Sequence, residues 1–163
     1  MPILLIVYHS VTGGSLQMAQ AAAAGAEREG GVSVRILSAA DTGAEAVLES
    51  AAYLFVCPEN LAGISGLMKD FFDRTYYPAL ERIQGRPYAT LICAGSDGTN
   101  AARQIERIAT GWRLKAMAPP LIVCTHAQTP EAILRPKRID ARDLAHCEQI
   151  GATLAAGLAM GIF

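Results

Sequence analysis

Five short apolar runs recur along this chain of 163 residues, and each is nearly continuous: Ile3–Tyr8, Val32–Leu37, Tyr53–Cys57, Tyr88–Cys93 and Leu121–Cys124. A strand with one wet face alternates apolar and polar residues; a strand covered on both faces does not. Helical patterns lie between the runs. Ser15–Glu29 carries small residues on every side, and Ala44–Ser50 is a short amphipathic piece. Gly66–Arg74 carries Leu67, Phe71 and Phe72, and Asn100–Trp112 places Ala101, Ile105, Ile108 and Trp112 on one face. Asp143–Met160 repeats Leu144, Cys147, Ile150, Leu154 and Leu158 at helical spacing. Strand–helix alternation of this kind specifies a parallel sheet with right-handed crossovers and helices on both faces. The chain is read as one doubly wound α/β domain over residues 1–163, around five parallel strands.

Composition narrows the partners. Fourteen basic residues against fifteen acidic give a net charge of -1, with no surface suited to nucleic acid. The hydrophobic fraction is 52 %, much of it alanine. The run Ile3–Val7 is too short for a signal segment and lacks a basic start. The run Gly151–Phe163 is shorter than the roughly 20 residues a spanning helix needs. The expectation is a cytoplasmic protein with no membrane or nucleic-acid partner. Cys57, Cys93, Cys124 and Cys147 form no C-x-x-C pair, so neither a metal site nor a redox dithiol is expected. They read as buried thiols. The stretch His126–Ala141 is long for a connection and holds Pro130, Pro136 and the cluster Arg135, Lys137, Arg138. It reads as a solvated excursion, as His126 reads as a plain loop residue.

In doubly wound sheets ligands bind beyond the carboxyl ends of the strands, where strand order reverses. The loops after the first, third and fourth runs are the most distinctive here. The first is His9-Ser10-Val11-Thr12-Gly13-Gly14-Ser15, leading into Leu16. Glycines let the backbone curl, hydroxyls add donors, and the helix that follows presents free N–H groups and the positive end of its dipole. No Lys or Arg lies between Met1 and Glu27, so a bound phosphate would rest on N–H and O–H donors alone. The loop fits neither the NTPase pattern nor the dinucleotide pattern, which leaves a terminal phosphomonoester or an ordinary capped helix start. The second loop follows Cys57, where Pro58 ends the strand, Gly63 and Gly66 loosen the chain and Ser65 can cap the next helix. The third holds Gly95 and Gly98 around Ser96-Asp97, with Thr99 or Asn100 as a cap.

Ser10-Val11-Thr12-Gly13-Gly14-Ser15 after an apolar strand resembles the phosphate loop of flavodoxin-like proteins. The segment Cys57–Arg74 resembles the corresponding stretch of NAD(P)H-dependent FMN reductases and quinone reductases of that superfamily. The resemblance implies strand order 2-1-3-4-5 and FMN as cofactor. Ser10, Thr12, Gly13, Gly14, Ser15 and Leu16 would hold the phosphate. Pro58, Glu59, Asn60, Leu61, Ala62 and Gly63 would flank the isoalloxazine ring, with Leu61 packed on it. Ala94, Gly95, Ser96, Asp97 and Gly98 would offer N–H groups to its pyrimidine edge, where negative charge gathers on reduction.

The activity so implied is hydride transfer from NAD(P)H to FMN, then electron transfer to a quinone, flavin or other small acceptor. FMN carries that chemistry, so no side chain is expected to be catalytic. Arg135, Lys137 and Arg138 could meet a dinucleotide phosphate, and Tyr76 or Tyr77 could stack on a ring. A flavodoxin-type electron carrier is the alternative, although such carriers are strongly acidic. A scaffold without cofactor is a third. A homodimer is allowed for by Gly157, Ala159 and Gly161 on the last helix, which equally suit packing within one chain.

Overall fold

The computed structural model describes residues Met1–Phe163. Its strands are β1 (Ile3–Tyr8), β2 (Ser33–Ser38), β3 (Ala52–Asn60), β4 (Gly63–Ile64), β5 (Pro87–Ala94), β6 (Lys115–Ala116) and β7 (Leu121–Cys124). Its helices are α1 (Gly14–Glu29), α2 (Ala44–Glu49), α3 (Gly66–Ala79), α4 (Thr99–Gly111), α5 (Pro130–Leu134) and α6 (Ala141–Ala159). The main strands lie in the order β2-β1-β3-β5-β7, all parallel. Counting only the five long apolar runs, this is the expected order 2-1-3-4-5.

Alternate residues of each central strand enter separate cores. Leu5, Val7, Tyr53, Phe55, Cys57, Tyr88 and Ile92 face one way, with Phe71 and Phe72 of α3 and Trp112 beyond α4. Leu4, Ile6, Leu54, Val56, Ala89, Leu91 and Cys93 face the other, onto Met18, Ala19, Ala22 and Ala26 of α1 and Leu154 of α6. The first layer is aromatic and thick: Phe55 meets Phe72 edge-on at 5.1 Å, and Tyr76 stacks on Trp112 at 5.6 Å. The second is thin, and its small residues let two helices touch by backbone. A Cβ on Gly25 would sit 2.0 Å from the carbonyl oxygen of Glu148, and one on Gly151 would sit 1.9 Å from that of Ala22.

Several details depart from the sequence reading. Pro58 does not end β3. It makes the last pairing with β5, opposite Cys93, and the strand then leaves the parallel ladder and turns back into β4. The edge strand is split: β6 pairs with Pro87–Tyr88, β7 pairs with Leu91–Ala94, and Pro119 and Pro120, which lack N–H groups, stand in the gap. Tyr76 belongs to the core and the exposed Tyr77 packs edge-on against it. Gly157 is covered by its own chain, the Phe163 ring lying 2.1 Å from where its Cβ would stand.

Gly151→Ala is expected to destabilise the fold by about 1–3 kcal/mol, because backbone on backbone cannot yield as a side chain can. Gly43→Ala, where nothing lies within 4 Å of the added carbon, should stay within about 0.5 kcal/mol. Urea unfolding of both variants tests this, and equal stabilities would refute the contact's importance.

Candidate functional site

The first loop is built by three constraints. Ser10 Oγ accepts the N–H of Gly13 at 3.1 Å, closing a short turn. Gly13 then takes φ +95°, a left-handed conformation that favours glycine, and serves as the cap residue of α1 in place of the expected Ser or Thr. Gly14 must be bare: a Cβ there would lie 2.7 Å from Cys93 Sγ of β5. The first N–H groups of α1, including those of Gly14, Ser15 and Leu16, have no partner within the helix. Ser15 is 2 % exposed and its hydroxyl has no hydrogen-bond partner. A buried hydroxyl left unpaired costs about 1–3 kcal/mol, so this one calls for an acceptor or donor from outside the chain.

The second and third loops are tied to each other. Leu61 and Ala62 form a two-residue hairpin turn between Asn60 and Gly63, both with positive φ, +51° and +63°. Such turns normally use Asn-Gly because side chains there are strained. The strain is held by α4: Asn100 Nδ2 donates to the carbonyl oxygen of Ala62, and Gln104 Oε1 accepts the N–H of Ile64 at 2.8 Å. Glu59 does not stand free beside the cleft. Its carboxylate accepts N–H groups of Gly98 at 2.9 Å and Ala101 at 3.1 Å, and so caps α4. Asp97 accepts from the N–H and hydroxyl of Thr99, and these bonds hold its carboxyl below the usual range. Capping of α4 thus falls to Glu59 and Asp97 rather than to Thr99 or Asn100. Ser65 also escapes its expected role: its hydroxyl meets His9 Nδ1 at 2.7 Å instead of capping α3.

The wall that the sequence did not announce is the segment between β7 and α6. Gln17 binds it two ways, donating to the carbonyl oxygen of Lys137 at 2.7 Å and accepting the N–H of Ile139 at 3.1 Å, while donating also to the carbonyl oxygen of Gly13 in the first loop at 2.9 Å. The Lys137 N–H donates to the carbonyl oxygen of Thr12 at 2.8 Å. Residues 130–139 therefore lie across the first loop as a strap, tied there by hydrogen bonds although most of its side chains are exposed, as expected. Arg135 and Arg138 remain exposed, as does His126.

Two confluent clefts result. The larger, about 580 Å³, is lined by Thr12, Pro58–Ala62, Cys93–Ser96, Thr125, Ala127, Ile133 and Lys137. The smaller, about 250 Å³, runs over Ser10–Thr12, Gly14, Ser15 and Leu134. They share Thr12, Pro58, Asn60, Cys93 and Ile133. Of the residues expected at the site, Gly13, Leu16, Asp97 and Gly98 line neither cleft, and Gly63 faces a hollow on the far side of the hairpin. Around the mouth stand exposed aliphatic side chains: Val11, Leu61, Ile133 and Leu134. Cys93 is buried within the cleft wall, and burial pushes its thiol up to about 11, despite the nearby Lys137. Cys57 and Cys147 are pushed to about 12 by burial. None is a nucleophile at neutral pH.

A loop of inward hydroxyls and N–H groups at a helix start, under a cleft with an aliphatic mouth at the strand ends, defines a flavodoxin-like nucleotide-binding protein. The unpaired Ser15 hydroxyl and the absence of any carboxylate from the smaller cleft fit the phosphate of FMN. The chain belongs to the NADPH-dependent FMN reductase family, whose model matches residues 1–129, and FMN is its cofactor. No curated protein sequence matches it. In fold it is similar to an archaeal flavodoxin, at 21 % identity over 96 % of this chain and 98 % of that one, with TM-score 0.77. It is similar also to a WrbA-like flavodoxin from Agrobacterium tumefaciens, at 20 % identity over 99 % of each chain and TM-score 0.76. A third likeness is to a flavone reductase, at 18 % identity over 99 % of this chain and 64 % of that one, with TM-score 0.75. No helix is long and apolar enough to cross a membrane.

Burial holds the His9 imidazole below its ordinary pKa of 6.5. The unfolded chain therefore binds the proton first as pH falls, and stability is lost below about pH 6.5. The denaturation midpoint should drop between pH 7 and 5, with a shallower slope in His9→Gln; equal slopes would refute it.

Proposed function

We propose that this protein is an NAD(P)H-dependent reductase that passes electrons to a quinone, a flavin or another small planar acceptor. When bound, FMN supplies the hydride chemistry between the two. The protein's part is to bind, orient and exclude. Ser10, Thr12 and Ser15, with the N–H groups at the start of α1, would hold the phosphate. Asn60–Ala62 and Ala94–Ser96 would face the ring system, with backbone N–H groups of the latter available to an anionic edge. No side chain in the cleft is placed as an acid or base: Glu59 is occupied in capping α4.

The observation that carries the reading is the lining itself. No aromatic side chain lines either cleft. Leu61, fully exposed at the hairpin tip, and Ile133 on the strap offer aliphatic contact without stacking over a ring. A planar reactant thus meets an open face. A pure electron carrier would be steered by charge, and a net charge of -1 gives little steering.

Anaerobic mixing of the FMN-loaded protein with NADPH, and separately NADH, tests it. Bleaching of the flavin absorbance within a second by either is expected, with reoxidation by a soluble quinone. A spectrum that neither nucleotide alters would overturn the reductase reading in favour of a carrier.

Ser15→Ala separates stability from binding. Removing an unpaired buried hydroxyl should stabilise the FMN-free protein, by about 1 kcal/mol. The same change should weaken FMN binding roughly ten-fold, by loss of one bond to a charged group. Thermal unfolding and flavin-fluorescence titration measure the two effects. An unchanged affinity would remove Ser15 from the phosphate site.

A further inference from the structure

We propose that Lys137 is the counter-charge of the phosphate site, delivered to the first loop by the strap, and that it sets the preference for FMN over flavins without phosphate. The inference rests on the FMN reading above and adds to it a residue outside the loop.

The loop has no cation of its own between Met1 and Glu27. Lys137 is the one cationic residue among those lining the two clefts. Its Nζ stands 3.5 Å from Thr12 Oγ1 and donates to the carbonyl oxygens of Ala132 at 2.8 Å, Ile133 at 2.7 Å and Arg135 at 2.6 Å. Those acceptors are neutral. None of the four ion pairs in the molecule includes Lys137. The ammonium is therefore half-buried and immobilised, yet its charge is uncompensated. The strap carbonyls fix its position, 3.5 Å from the Thr12 hydroxyl of the loop.

Two features show that the position is built rather than incidental. The backbone of Lys137 is held at both ends of its peptide unit, N–H to Thr12 and carbonyl to Gln17. Its Cβ lies 3.5 Å from where a Cβ on Gly14 would stand, and Gly14 directly precedes Ser15, whose buried hydroxyl has no partner within the chain. A phosphate carries its second charge above about pH 6, and an ammonium beside it in a partly desolvated cleft is worth far more than at the surface. Cradles of N–H and O–H alone stabilise a phosphate by dipoles; one with Lys137 adds a full charge.

The test compares FMN with riboflavin, which shares the ring and lacks the phosphate, by fluorescence titration of the FMN-free protein. The parent should bind FMN much the tighter, increasingly so as ionic strength falls. Lys137→Met should lose roughly ten- to a hundred-fold in FMN affinity, the range for a bond to a charged group. Its affinity for riboflavin should move less than two-fold, and its salt dependence should flatten. If the methionine variant fails to fold, Lys137→Gln keeps a donor for the α5 carbonyls and removes only the charge. Equal losses for the two ligands would make Lys137 a mere brace of the strap and overturn the proposal. A variant that keeps the parent's preference would overturn it too, leaving the FMN reading intact. A parent that binds FMN no better than riboflavin would overturn the phosphate site and this proposal together.

Discussion

Helices α1 and α6 cross backbone against backbone at Gly25 and Gly151, where neither has room for a Cβ. Much of the site follows from it. Two helices this close form a single slab over one sheet face, with alanines rather than leucines between them. The chain leaving β7 at Cys124 must regain that slab at Ala141, and it does so across the start of α1. Residues 130–139 are thereby laid over the first loop, where Gln17, one turn into α1, bonds to them. The exposed pair Arg28–Glu148 spans the same two helices at 2.9 Å but adds only tenths of a kcal/mol. Steric complementarity of small residues, not charge, locates the strap.

Several local preferences are met behind the cleft and broken at its rim. Helix α4 is capped by Glu59 and Asp97, and Arg86 spreads its guanidinium over the carbonyl oxygens of Leu48 and Ser50 and the Tyr53 hydroxyl. Those groups are satisfied. By contrast Ser15 is buried without a partner, Leu61 and Ala62 occupy a conformation that costs non-glycine residues about 1–2 kcal/mol each, and Val11 and Leu134 stand in water. Conflicts between local and global preference gather at functional sites because a ligand resolves them. On the proposed function one bound molecule would resolve two of them: the hydroxyl by a phosphate, the aliphatic rim by a ring.

This division also explains what could be read in the sequence. The five principal strands were legible because burial on both faces leaves a run of apolar residues that nothing else produces. Which alternate residues face the aromatic layer was not, since periodicity is silent when both faces are apolar. The β3–β4 hairpin was hidden because Leu-Ala breaks the turn rule that would have announced it. Glu59 does line the cleft, but its sequence position cannot show that its carboxylate turns toward α4. Lys137 stands 125 residues from Thr12, and only the crossing of α1 and α6 unites them. The basic cluster around it was the one signal present, and it pointed equally to the two arginines, which stay in water.

The distribution of aromatic residues links the fold to the chemistry. Tyr53, Phe55, Phe71, Phe72, Tyr88 and Trp112 all enter the core on the α3–α4 side. That thick layer is what holds α3 and α4, and through Asn100 and Gln104 it steadies the strained hairpin that reaches the cleft. Rings are therefore spent on rigidity behind the site, while contact at its mouth falls to Leu61 and Ile133. A flavin held by backbone, hydroxyls and aliphatic side chains keeps one face free of a stacked side chain. For a protein that exchanges electrons at a distance such a face needs no access; for one that accepts hydride it must admit a second ring. In the proposed reductase, the placement of aromatics away from the cleft would leave room for direct contact between two planar reactants.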